Sequence, residues 1–257
     1  MQEKEICWNI TARCNQKCKY CHRFLNVKEL SYDENKKILN TLIECGVKQI
    51  TWTGGEALLL NYLDELIKIS YEAGVKNKLI SNGKLLSEER MNSLFPYLDS
   101  ITLSLDSIDC EINKRIGRGE KHFFQINNIL SYIKKNNLNI KIRINTVVNK
   151  INLYHIKELT EYLNKFDIYS WRIFKFMPLR ELAILERKRF EISDSEFNKQ
   201  INCIKSNSKI KNIDFRISED MEQKYILILA DGSIVITDNG KDKIIGNALV
   251  DSINKFK

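Results

Sequence analysis

The chain has 257 residues, 43% of them hydrophobic and 29% charged, with a formal net charge of +8 and a pI near 9.0. These values exclude a disordered or fibrous chain and suit one large domain, or one domain with a small appendage, around a sizeable core. The basic balance admits nucleic acid, anionic lipid or phosphorylated small molecules as partners, but no arginine-rich tract points to nucleic acid.

No apolar run approaches the roughly 18 residues of a membrane span. The start, "MQEKEICWNIT", has no secretory apolar segment. Seven cysteines, an odd number with three crowded together, do not make a disulfide framework. A cytoplasmic, reducing location is expected.

Strands are expected at "EICWNIT" (5–11), "VKQITWT" (47–53), "VKNKLIS" (75–81), "DSITLSL" (99–105), "NIKIRINTVV" (139–148) and "SWRIFKF" (170–176). Each is short, rich in Ile, Val, Thr and aromatics, and flanked by turn residues. Between them the spacing predicts helices over 33–45, 61–73, 87–95, 123–136 and 153–165, the first two stopping at Gly46 and Gly74. Six strand–helix units imply a parallel sheet, and six are too few for a closed eight-unit barrel. The expected fold is α/β, a partial (βα)6 barrel over residues 1–180. Residues 181–257 would add a helix at about 194–205, the strand-like runs "NIDFRIS", "YILILA" and "SIVITD", and a hairpin turning at Asp231–Gly232.

Directly after the first strand, "TARCNQKCKYCHR" places Cys14, Cys18 and Cys21 within eight positions. This is the carboxyl end of a parallel strand, where such folds build their sites. Three close thiolates can wrap one metal centre. A structural zinc would want a fourth tight ligand, and the adjacent His22 offers one. Three cysteines on a four-iron cluster would instead leave one iron open to a small molecule.

Four motifs in order, "CNQKCKYC", "TGGEAL" (53–58), "SNGKLL" (81–86) and "SLD" (104–106), each at a strand's end, resemble the radical S-adenosylmethionine superfamily over residues 5 to about 180. The resemblance implies a [4Fe-4S] cluster on Cys14, Cys18 and Cys21. It implies S-adenosylmethionine on the open iron, and reductive cleavage to a 5′-deoxyadenosyl radical that takes hydrogen from a substrate. Tyr20 would pack near the adenine. Gly54, Gly55 and Glu56 would receive the methionine ammonium, and Ser81, Asn82 and Ser104 would face the ribose or carboxylate. Arg118 and Met177 are also expected at the cofactor. Arg118 sits between glycines, free to meet a carboxylate or phosphate with both arms of its fork. For Asp106 a plain strand-end cap is the alternative to a role in the site.

The stretches 97–120, 140–153 and 171–179 are similar to viperin-like nucleotide dehydratases and to the GTP cyclase of molybdenum-cofactor synthesis. "IGRG" (116–119), "INTVVNKIN" and "FEISDSEF" (190–197) follow the first group, and "KFMPL" the second. Both imply a nucleoside triphosphate in the barrel, with a reductant such as flavodoxin or ferredoxin as partner. Arg143 and Asn145 alternate with isoleucines on one strand, so they share a face that the resemblance turns inward. Arg172 and Lys175 are further candidates for substrate. They lie three positions apart, so at most one points into the barrel.

The chain departs from both groups. "HRFLNVKEL" replaces the viperin stretch after the third cysteine, and a long viperin-like tail is not seen. With Cys203 alone in the tail, the cyclase's second cluster is not expected, and Cys7, Cys45 and Cys110 read as packed residues. The tail "ADGSIVITDNGKDKIIGNALVDSI" is similar to the extension of peptide-modifying enzymes. A ribosomal peptide or another metabolite is therefore the alternative substrate, and a non-catalytic iron–sulfur or zinc protein the alternative class.

Overall fold

The computed structural model describes residues 5–221, 226–238 and 241–251. In chain order the elements begin β1 (Glu5–Thr11), α1 (Tyr32–Glu44), β2 (Gln49–Gly54), α2 (Leu63–Glu72), β3 (Lys76–Ser81), α3 (Glu88–Leu94) and β4 (Ser100–Ser104). They continue α4 (Cys110–Ile116), α5 (His122–Lys135), β5 (Lys141–Val148), α6 (Ile156–Leu163), β6 (Ser170–Lys175), α7 (Glu181–Leu185), α8 (Arg187–Phe190) and α9 (Asp194–Asn207). The last are β7 (Ile213–Arg216), β8 (Ile226–Ile228), β9 (Ser233–Asp238) and β10 (Lys241–Asn247).

The strands form one sheet in the order β10-β9-β8-β1-β2-β3-β4-β5-β6-β7. From β1 to β6 each strand pairs in parallel with the next in the chain, as strand–helix units require. Two tail segments extend this array at opposite edges. "NIDFRIS" supplies β7, parallel to β6, and "YILILA" supplies β8, parallel to β1. Tyr225 of the latter lies outside the described residues. The hairpin is present, β8 pairing antiparallel with β9 around Asp231–Gly232. Its next strand, β10, forms the far edge.

The parallel strands alternate between two environments, which sets the site. In β5, Ile142, Ile144, Thr146 and Val148 are buried beneath helices, while Lys141, Arg143, Asn145 and Val147 take the less buried, concave side. Trp8 and Trp52 lie fully buried in neighbouring strands and stack at 5.2 Å between ring centres. The Trp52 Nε1–H donates to Asn77 at 2.8 Å, so the large ring is buried with its polar atom satisfied. Helices α1 and α9 start with reciprocal capping boxes, Ser31 with Glu34 and Ser193 with Glu196.

A second, smaller core joins Tyr20, Ile112, Ile116, Phe176 and Phe190, with Cys18 packed against it. It lies where the cysteine loop meets α4 and α8, apart from the main core.

Candidate functional site

The cysteine loop leaves β1 at Thr11 and is seated by backbone bonds to its neighbours. Gly55 N–H donates to Thr11 O at 2.7 Å and Glu56 N–H to Arg13 O at 2.8 Å. The seat explains both glycines of the "GGE" stretch. A Cβ on Gly55 would sit 2.0 Å from Arg13 O, and one on Gly54, whose φ is +143°, 2.3 Å from Thr11 O. The close approach they permit is thus to the cysteine loop's own backbone.

Gly117 of "IGRG" does the same on the other side. Lys17 N–H donates to its carbonyl at 3.1 Å, and a Cβ there would lie 2.1 Å from Lys17 O. Glu29 closes the loop, accepting from the Ala12 and Arg13 N–H groups at 3.0 and 3.2 Å and pairing with the Arg13 side chain.

Within this seat Cys14, Cys18 and Cys21 act on one another electrostatically, so their sulfurs share one locality. Burial pushes the Cys18 thiol up to about 12, opposed by the nearby Arg118, and burial also raises Cys14. As free thiols both keep their protons, and a bound metal would remove them. The Gln16 N–H points at Cys14 Sγ and the Arg23 N–H at Cys21 Sγ, each at 3.4 Å, as suits sulfurs that become thiolates.

Among the described residues no three His, Cys, Asp or Glu side chains converge on the position of a single ion. The His22 ring is bonded to the Met177 carbonyl, and burial lowers its pKa to about 4. The zinc alternative therefore lacks its fourth ligand, while three thiols on one loop with N–H donors fit a polynuclear cluster.

Glu56 is buried and takes three donors: Ser81 Oγ at 2.9 Å, Asn82 N–H at 2.8 Å and Leu58 N–H at 3.3 Å. It ties the end of β2 to the end of β3 and keeps one acceptor position for a further cation. Asn82 in turn donates to Asn15 Oδ1 at 2.8 Å, linking the third motif to the cysteine loop. A narrow crevice with room for about one water, open to solvent, is lined by Gly54, Gly55, Phe24, Leu229 and Ala230. The C-terminal extension thus forms one of its walls.

Three residues expected at the cofactor also have partners within the protein. The Tyr20 hydroxyl and the Arg118 guanidinium both donate to Asp106, whose other oxygen accepts the Val147 N–H at 2.7 Å. Arg118 also donates to Gln16 at 3.2 Å. Asp106 and Arg118 form a buried ion pair under the cysteine loop, so Asp106 is more than a cap. Met177 is buried, and its carbonyl serves His22. Ser104 offers its carbonyl to His122 Nε2 at 2.8 Å, and His122 Nδ1 faces the Gln16 amide at 3.1 Å. Gln16, Glu29 and His122 carried no signal in the sequence, because the partners that place them in the site lie 16 to 106 positions away.

Below this layer the concave face is basic. Arg143 donates to Ser170 Oγ at 3.1 Å and stacks over Tyr169 at 4.7 Å, while its Nε is buried with no partner. Arg172 pairs with Asp214 at 3.0 Å, which Arg216 shares at 2.8 Å. Asn145 stands between Ser104 and Arg172 in the ladder. Lys78, unnoticed in the sequence, joins them. Burial lowers its pKa, and Arg143 and Arg172 push the same way against Glu5 and Asp99. Lys175 does not belong here. It lies on the helix side with Trp171 and Ile173, and its ammonium meets Asp194 at 2.6 Å, because three residues along a strand reverse the face.

The S-adenosylmethionine-dependent nucleotide dehydratase of Flammeovirga pacifica is 31% identical over 239 residues, 88% of this chain and 80% of that protein. The enzyme of the same name from Lacinutrix mariniflava is 28% identical over 226 residues, 84% of this chain and 46% of that protein, so this chain spans under half its length. Streptococcus suis SuiB bound to S-adenosylmethionine superposes with a TM-score of 0.72 at 18% identity, over 98% of this chain and 64% of that one, a likeness of fold. The Radical SAM superfamily model matches residues 8–163 and so takes in all three cysteines, the "GGE", "SNG" and "SLD" motifs and strands β2 to β5. With a thiol seat that fits its cluster, this chain belongs to the radical SAM superfamily, as an enzyme that uses a [4Fe-4S] cluster and S-adenosylmethionine.

Proposed function

We propose that this enzyme acts on a nucleotide, a nucleoside triphosphate above all, in a viperin-like dehydration. The charge of the concave face carries the reading. Lys78, Arg143, Arg172 and Arg216 face three carboxylates, Glu5, Asp99 and Asp214, and Arg143 makes no ion pair with any of them. A guanidinium held partly out of water with an orphaned Nε favours an incoming anion. The names of the similar dehydratases point the same way.

When bound, the cluster and S-adenosylmethionine supply a radical that takes hydrogen from the substrate. The chain's own residues bind and orient. Arg143 and Arg172 hold phosphate, Asn145 contacts the substrate between them, and the sheet excludes water from the reacting carbon. A flavodoxin or ferredoxin serves as reductant, and the cytoplasm is the proposed location. Among the described residues no helix is long and apolar enough to cross a membrane.

The test compares Arg143→Ala with wild type in nucleotide binding and thermal unfolding. Lost nucleoside triphosphate binding at a near-normal melting temperature is expected. Unchanged binding with a large loss of stability would assign Arg143 to the fold. Binding of a peptide but of no nucleotide by the wild type would favour the ribosomal-peptide reading.

A further inference from the structure

The segment that follows the third cluster cysteine is held from outside the barrel. Arg180, just beyond β6, donates from Nη1 to the His22 carbonyl at 2.9 Å. Its guanidinium lies 4.2 Å from the Phe24 ring centre. Its other two nitrogens grip Asp242 of β10 in a fork, Nε to Oδ2 at 2.8 Å and Nη2 to Oδ1 at 2.9 Å. Thr237 of β9 fixes Asp242 with a further hydrogen bond at 2.9 Å. Both charged side chains are about three-quarters buried, at 21% and 25% exposure.

This geometry is more than a surface ion pair. An exposed pair contributes little, because two mobile side chains must be ordered in water. Here one planar group meets a carboxylate in two places, an aromatic face and a backbone carbonyl, and only arginine has that shape. The elements it joins are far apart in the chain, Asp242 lying 62 positions from Arg180 and His22 lying 158. Two parts of the crevice beside Gly54 and Gly55 meet at the joint. Phe24 is one wall, and the extension that carries Asp242 brings Leu229 and Ala230 to the other. The backbone bond from Leu30 N–H to Ala230 O, at 2.9 Å, ties the same two segments again.

We propose that Arg180 is a positioning residue: through Asp242 it makes the C-terminal extension a wall of the S-adenosylmethionine crevice, and it fixes the backbone that follows Cys21. The role concerns the cofactor and does not depend on the substrate being a nucleotide. Loss of either side chain frees Phe24 and the 22–24 backbone, and the crevice loses its shape without losing a cluster ligand.

The experiment uses the full chain with its cluster reconstituted anaerobically, as wild type, Arg180→Gln, Asp242→Asn and the double variant. S-adenosylmethionine affinity is measured by equilibrium dialysis, the reduced cluster by electron paramagnetic resonance with and without S-adenosylmethionine, and stability by thermal unfolding of the cluster-free protein. Each single variant should weaken S-adenosylmethionine by about 10- to 100-fold, the usual effect of removing a residue that orients a metal site. Each should also alter the change in resonance that S-adenosylmethionine induces. The double variant should be little worse than either single one, because both act through one link. Asp242→Asn keeps the shape of a residue on an edge strand, so it tests the link even where Arg180→Gln folds poorly. Arg187→Gln, which breaks an exposed pair in α8, should leave the affinity unchanged. Wild-type affinity and resonance in Asp242→Asn, whatever its melting temperature, would overturn the proposal, as would fully additive losses in the double variant.

Discussion

Glu56 shows how one side chain can serve fold and ligand together. Burial raises its pKa, and hydrogen bonds from Asn82, Ser81 and Leu58 oppose that rise. Glu56→Gln replaces an acceptor oxygen by a donor among groups that already donate. It should cost about 1–3 kcal/mol of stability, read as a shift of the urea midpoint of the cluster-free protein. It should also weaken S-adenosylmethionine binding by roughly 10- to 100-fold through loss of a charge-assisted hydrogen bond. Wild-type affinity in this variant would remove Glu56 from the ammonium site. His122 makes a second residue-scale prediction. Burial lowers its pKa from 6.5 to about 3, so below pH 6.5 the unfolded chain takes up a proton that the folded chain refuses. The stability it permits at neutral pH is lost as the pH falls from 6.5 toward 3, by up to about 1.4 kcal/mol per pH unit. His122→Gln should flatten the fall of the urea midpoint between pH 6.5 and 5. An unchanged slope would contradict the buried neutral ring.

At the scale of elements, the site depends on loops that approach one another at backbone distance. Gly55→Ala should displace the cysteine loop, since the added carbon would collide with a carbonyl that has no room to retreat, and iron content after reconstitution should fall sharply. Gly74→Ala is the control. Its φ is +77° but nothing lies near, so it should cost about 1–2 kcal/mol of strain and leave the cluster intact. Equal iron content in the two variants would mean that the seat is looser than its geometry. The repeated units behind this seat were legible in the sequence because period-2 strands and period-3.6 helices are local patterns. The short β7 was not placed as a parallel strand, because all four of its residues are half-buried and show no alternation. Helix α4 went unread because its seven residues carry little periodicity of their own.

Across the whole molecule, what the sequence disclosed follows from distance along the chain. The three cysteines lie within eight positions, and each further motif ends a strand, so the topology brings them together. Asp106 reaches Tyr20 across 86 positions and Gln16 reaches His122 across 106, and no local pattern records such pairings. The same holds for the basic face, where Lys78 joins Arg143 and Arg172 only once β3, β5 and β6 lie in one sheet. That face carries the central claim, a nucleotide as the object of radical chemistry. The direct measurement is release of 5′-deoxyadenosine by the anaerobically reconstituted, reduced protein with S-adenosylmethionine, with and without each ribonucleoside triphosphate in turn. One triphosphate should raise the release well above the substrate-free level and be converted to a product lighter by one water. Release that no triphosphate raises, or a triphosphate recovered unchanged, would contradict it.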